Sequence, residues 1–377
     1  MTKTMRPDIQ PGPSSALSPK VATESVATES ERESQARERD ILRMSPPRHQ
    51  GDREPRVASG SDVNISLQIV PGAILTREEF LASHPPFSIA LDGYVKGEPF
   101  LIDAADGPYR NFNHHEAVDR SCTCATCEQV RRAILLGLYE LYSDEHGRRA
   151  TVWVNDCDQD VCLATWILLN PERAGEPLVR TLAHIEDLLD MSAGAFPLPR
   201  ERNLLGEIRW VFEPYTMNRP RLSESSADDM RKIIEAVHER IELFLTGQSE
   251  ALPLLGSYTE IGGTEEWMLV EIDHQHARQK MVEAGVNAAV ELYARAGDRY
   301  VYSIWRRSEY IVHFPIPEIL RELNRAEGYE ADDITGWGGS ENVGGSPRSK
   351  GSALLPEDVE RVVEGVVAAQ KARSLRS

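Results

Sequence analysis

The sequence contains no apolar run near the roughly 18 residues a helix needs to cross a bilayer, so no membrane partner is expected. It has no basic-then-apolar leader at its start, so secretion is not expected and a cytoplasmic location is. Cysteine is scarce, at five in 377 residues, and the odd count points to reduced thiols rather than a disulfide framework. Positive charge is also short: 42 Lys and Arg stand against 60 Asp and Glu, for a formal net charge of −18. Long nucleic acid binds mainly through phosphate neutralisation, so it is not an expected partner. A small anionic substrate remains compatible, because a bound cation and a few local arginines reverse the potential inside a cleft. What is present, 41% hydrophobic and 27% charged residues, lies in the globular range.

Residues 1–60 are rich in Pro, Ser, Glu and Arg, and the five residues Val21 to Ser25 repeat as Val26 to Ser30. Such a segment buries too little surface to offset its ordering entropy and reads as a disordered tail. From Val63 the pattern changes. Val63–Ile69 alternates with period two, as a strand does. Ser88–Tyr94 and Pro99–Asp103 read as the arms of a hairpin turning at Lys96-Gly97. Thr126–Tyr142 carries Val130, Ala133, Ile134, Leu138 and Leu141 on one helical face. Arg149–Val154 reads as a buried strand, Leu178–Met191 and Ala227–Thr246 as helices, and Trp267–Ile272 as a strand. Tyr300–Trp305 and Tyr310–Phe314 suggest a second hairpin, followed by helices over 317–325 and 356–373. The expected fold is α/β, a mostly parallel sheet flanked by helices with a smaller C-terminal α+β lobe. The expected division is a metal-site domain over 61–215, a linking helix region over 216–260 and a substrate-binding lobe over 261–377.

The chemistry-bearing residues concentrate between Asp103 and Asp160. Asp103 and Asp106 close one strand, and Asn113-His114-His115 follows the next. Adjacent histidines on an extended segment point opposite ways, so one can bind a metal while the other faces substrate. Asp156 and Asp158 stand where a strand ends and a helix begins, the usual ligand edge of an α/β sheet. Asp160 fits a helix-capping role. His184 and Asp187 share a helical face, with Asp190 on the same helix. Hard oxygen ligands with imidazoles suit a divalent ion such as manganese, magnesium, iron or zinc. Cys122, Cys124 and Cys127 are spaced like zinc or cluster ligands, or are small residues packing a helix start. In the C-terminal region Arg306, Arg307 and His313, with the loop Gly344-Gly345-Ser346-Pro347-Arg348, offer groups that suit an anion.

These motifs resemble the DHH phosphoesterase superfamily over roughly residues 85–352. In that likeness Asp156 and Asp158 match the DxD pair, Asn113-His114-His115 the Asp-His-His triplet, Asp103 the separate Asp, Asp187 the later one and Gly344–Arg348 the substrate loop. Here the triplet opens with Asn113, no histidine precedes the DxD pair, and the histidine segment comes before it rather than after. The resemblance implies hydrolysis of a small phosphate ester or nucleotide-type substrate by metal-activated water, with Mn2+ favoured and Mg2+ or Fe2+ as substitutes. Asp103, His114, Asp156, Asp158 and Asp187 would hold metal. His115 and Asp158 would be catalytic, and Arg306, Arg307, His313, Ser346 and Arg348 would hold substrate. Two alternatives stand beside it: an iron-dependent enzyme of another reaction class, and a non-catalytic ligand-binding module. One metal or two, and a monomer or a homodimer, are left open.

Overall fold

Four short strands run side by side, with the fully buried Ser88–Leu91 at the centre of the array and the partly exposed Asn64–Ile69 at its edge. In the computed structural model, β1 (Asn64–Ile69), β6 (Gly147–Val154), β2 (Ser88–Leu91) and β4 (Gly107–Phe112) form a parallel array in that order. β3 (Phe100–Ala104) joins β4 antiparallel at the edge, and β5 (Ser143–Asp144) pairs with β6. β2 is buried along its whole length. Ile89 and Leu91 face one core, and Ala90 the other, which is why the strand reads as a continuous apolar run rather than an alternating one. The structure describes residues 64–374 except 199–201, 254, 275, 297–298, 331–334 and 348–349; the tail expected over 1–60 lies outside the described residues.

Helices cover both faces. α1 (Arg77–Ser83), opened by a Thr76–Glu79 capping box, packs Phe80 against Tyr94, Phe100 and Tyr109. On the other face lie α2 (Thr126–Leu135), α3 (Leu138–Leu141), α4 (Gln159–Leu169), α5 (Pro177–Met191), α6 (Arg202–Val211), α7 (Glu213–Asn218) and α8 (Ala227–Leu245). α4 is apolar all round and central, with Val161 to Leu168 buried; removing one of these side chains, as in Leu163→Ala, would cost about 2–5 kcal/mol. The helix expected over 126–142 is two helices, because Gly137 takes φ 98°, a left-handed turn that ends the first.

The second sheet runs β11 (Gly338–Gly339), β12 (Val343–Gly345), β10 (Arg299–Arg306), β9 (Ala288–Ala296), β8 (Met268–Ile272) and β7 (Tyr258–Gly263), antiparallel except for β8 with β9. One face packs on α10 (Ile316–Glu327) and α11 (Pro356–Ser374). The other carries Val270, Ala289 and Trp305 against α9 (Ala277–Glu283) and against Ala195, just beyond α5. The described residues form one compact unit.

Two expected hairpins are corrected. β2 pairs with β4 in parallel, and the hairpin is β3–β4, because Asp92 (φ 49°) and Gly93 (φ 81°) turn the chain away from the sheet after Leu91. Residues 310–314 do not pair with β10, since β9 and β12 already occupy both its edges.

Candidate metal centre

The carboxyl ends of β2 and β4 lie together, Leu91 opposite Phe112, so the residues that follow them meet at one edge of the sheet. Asp92 follows β2, and its N–H donates to the Phe112 carbonyl at 2.9 Å. His114 and His115 follow β4. Asp92 Oδ1 stands 3.3 Å from His114 Nε2 and 2.9 Å from His115 Nε2, and accepts from Thr126 Oγ1 at 3.0 Å. His114 Nε2 also lies 3.6 Å from Asp160 Oδ2 and 2.8 Å from Asp190 Oδ2. Two groups of potential ligands result, Asp92 with His114 and His115, and His114 with Asp160 and Asp190, each with its ligand atoms within 4.8 Å of one another.

Asn113 sets the geometry of the histidine pair. Its Nδ2 donates to the Gly97 carbonyl at 2.8 Å, and its Oδ1 accepts from the His115 N–H at 3.1 Å. That local turn folds the segment, so the two ring centroids lie 4.4 Å apart, tilted by 40°, and both rings reach the same carboxylate instead of pointing opposite ways. The Gly97 bond requires the amide, since an Asp at 113 has no N–H for that carbonyl.

The N-terminus of α2 supplies the opposite polarity. Ala125 gives this helix no side-chain cap. Carboxylates from other helices take its free amides: Asp160 accepts from Thr126 and Cys127, each at 2.6 Å, and Asp187 accepts from Ala125 at 2.6 Å. Asp160 therefore caps α2, while Asp158 caps α4 by accepting from Val161 at 2.9 Å.

The charges in this pocket are strongly coupled. Burial opposes ionisation of Asp92 and Asp190, yet the adjacent imidazoles overcome it and hold both carboxyls below their usual range. Burial also opposes protonation of His114, but Asp190 and Asp92 raise it to about 11. Asp160 is pushed up to about 7 by burial and by the charges of Asp92 and Asp190. Glu186, buried one turn before Asp190, is pushed well up by burial and by the same acids.

A cation fits this donor set. Both ring nitrogens of His114 and Asp190 Oδ2 are buried without a hydrogen bond, even though Nε2 and Oδ2 are 2.8 Å apart. Buried polar atoms are ordinarily satisfied. Bonds of about 2.0–2.2 Å to a shared ion would bridge donors at these separations.

The arrangement changes which residues carry the site. His114 and His115 meet the cluster as expected. The segments around 156–160 and 187–190 do reach His114, but through Asp160 and Asp190. Asp156 accepts from its neighbour Cys157 N–H at 2.6 Å; Asp158 and Asp187 are spent on helix caps. Asp103 is exposed and pairs with Pro108, five residues before Asn113. Antiparallel β3 therefore carries it about 17 Å toward the opposite edge of the sheet. Asp92 was missed; its signal was a short apolar strand ending in Asp-Gly. The thiols do not join: Cys122 is exposed, Cys124 half-buried and Cys127 buried, and none belongs to a potential metal group among the described residues.

Arg306, Arg307 and Ser346, expected to hold substrate, make hydrogen bonds within the protein. Arg306 donates to the carbonyls of Glu341 at 2.8 Å and Ile311 at 3.3 Å. Ser346 Oγ accepts from the Tyr302 N–H at 3.0 Å. Arg307 donates to the Val282 carbonyl at 3.3 Å, and half-buried His313 has no hydrogen bond to Nε2. Gly344 and Gly345 serve packing, since a Cβ there would lie 2.8 Å from a Leu320 methyl and 2.7 Å from the Tyr302 carbonyl. Arg348 lies outside the described residues. No described helix is long and apolar enough to cross a membrane.

The fold and site define an α/β protein with a buried Asp/His cluster able to hold a metal ion. Compared with protein-family models and with curated proteins, the chain matches none.

Proposed function

We propose that the chain is a metal-dependent hydrolase of a small phosphate ester or nucleotide-type substrate. One observation carries the reading: three carboxylates converge on His114 Nε2, and one of them also engages His115. An oxygen-rich set with two imidazoles suits Mn2+, with Mg2+ or Fe2+ as substitutes. When bound, such an ion brings the pKa of a coordinated water toward 7 and neutralises phosphoryl charge. Asp92, His114, Asp160 and Asp190 hold the ion. His115 is the most open member, its side chain 35% exposed against 26% for Asp190 and 3% or less for the others, so it faces arriving substrate. Its Nε2 proton, oriented by Asp92, is in position to be given to the departing oxygen.

Elemental analysis followed by a phosphoester panel tests this. Bound Mn2+ or added Mn2+ should support turnover, and His114→Ala should reduce it by about a hundredfold or more while the fold is retained. Unchanged turnover in that variant would remove the reading.

A second reading has its own observation. Asp92, His114 and His115 alone have the two-imidazole, one-carboxylate composition of mononuclear iron sites. Tightly held iron with oxygen consumption would favour it; a colourless, Mn2+-dependent phosphoesterase would exclude it.

A further inference from the structure

We infer that Arg278, on a helix of the second sheet, is a positioning residue for the candidate metal centre: by holding the Ala193 carbonyl it fixes the last turn of α5 and, with it, the Asp190 carboxylate. The inference rests on the metal-centre reading above.

Asp190 is carried in the last turn of α5, and helix ends fray. α5 stops in a left-handed turn. The Gly194 N–H donates to the Leu189 carbonyl at 2.6 Å and the Ala193 N–H to the Asp190 carbonyl at 3.0 Å, with φ of 51° at Ala193 and 79° at Gly194. The first left-handed position is alanine, where glycine is the ordinary choice. A strained turn of this kind persists when its surroundings over-determine it. Two guanidinium groups do so. Arg120 Nη2 donates to the Asp190 carbonyl at 3.3 Å and lies 3.5 Å from its Oδ2. Arg278 Nη1 donates to the Ala193 carbonyl at 2.7 Å.

Arg278 is itself immobilised. Nε and Nη2 form a fork with Glu291 at 3.0 and 2.5 Å, and Nη2 also donates to Ser303 Oγ at 2.9 Å. Glu291 is fully buried in β9 and accepts from Trp305 Nε1 at 2.7 Å. A buried ion pair is a poor stabiliser compared with apolar packing of the same volume. What this pair adds is a rigid donor aimed out of the sheet, three residues beyond Asp190. Lysine cannot reproduce the fork and the outward arm together.

The test is Mn2+ titration of the full chain. Arg278→Lys keeps a charge against Glu291 but lacks the second arm; Arg278→Met combined with Glu291→Met removes the pair without stranding a charge. Each should melt as a folded protein, bind Mn2+ about 10–100-fold more weakly and, at saturating Co2+, show an altered ligand-field spectrum. A folded variant of either kind that binds Mn2+ within about twofold of wild type, with an unchanged Co2+ spectrum, would overturn the assignment. So would failure of both to fold, which would make the pair a core element only. Absence of Mn2+ binding by wild type, where Arg278 is intact, would instead overturn the metal centre and this inference with it.

Discussion

His114 Nε2 and Asp190 Oδ2 stand 2.8 Å apart in the interior and form no hydrogen bond with each other or with any other group. The first residue follows the end of β4 and the second lies in the last turn of α5. Their approach is what gives the cluster a donor set that could hold a cation.

Asp190 and Asp187 should therefore behave differently, although they are one turn apart on α5. Asp190→Asn should weaken Mn2+ binding by more than the roughly 10–100-fold typical of outer-shell changes. Asp187→Asn should leave metal binding intact and cost about 1 kcal/mol through the Ala125 cap, measured by urea unfolding. Equal loss of metal in both would contradict the geometry.

Metal binding should release protons. In the metal-free protein His114 is held at about 11 and Asp160 at about 7, so near pH 6 both carry a proton that a cation must displace. Mn2+ affinity should rise as pH increases from 6 to 8. Calorimetry in buffers of different ionisation enthalpy counts the protons, and a pH-independent affinity without release would reject this.

Without metal, the same two shifts both make folding stability fall as pH rises, opposite to the trend in metal affinity. His114 is raised above its unfolded value, so its contribution is complete below about 6.5 and is lost as pH climbs through about 11. Asp160 is also raised, but as an acid: the folded chain binds the extra proton, so stability falls between about pH 4 and 7. Melting temperature of chelator-treated protein should decline across that lower window, and added Mn2+ should flatten the decline.

Asn113→Asp, which would restore the triplet of the resembling superfamily, should damage this chain. The new carboxylate would face the Gly97 carbonyl and lose a buried donor, at a cost of about 2–3 kcal/mol. Chemical denaturation measures that cost. A variant as stable as wild type would show that the Asn113 bonds do not hold the histidine turn.

Cys122→Ser with Cys124→Ser should change neither metal content nor absorbance, because these thiols lie outside the potential metal groups among the described residues. Loss of bound metal in the double variant would revive a thiolate site.

Local pattern was enough for much of this architecture. The continuous apolar run of β2, the β-branched run of β6 and the amphipathic face of α8 are written in spacing, because each element must bury one side wherever it ends up. The histidine pair and the strand-end acids were legible for a similar reason: strand ends in α/β sheets collect ligands. Which acids join could not be read. Asp158 and Asp160 differ by two positions, and Asp187 and Asp190 by three; in each pair only the second reaches His114, and Asp160 does so while also capping α2. That choice depends on where the α2 amides and the His114 ring come to rest, a three-dimensional fact with no local signature. Strand partnership decided the rest. Only the parallel pairing of β2 with β4 brings Asp92 to the histidines, and only the antiparallel return of β3 takes Asp103 away from them.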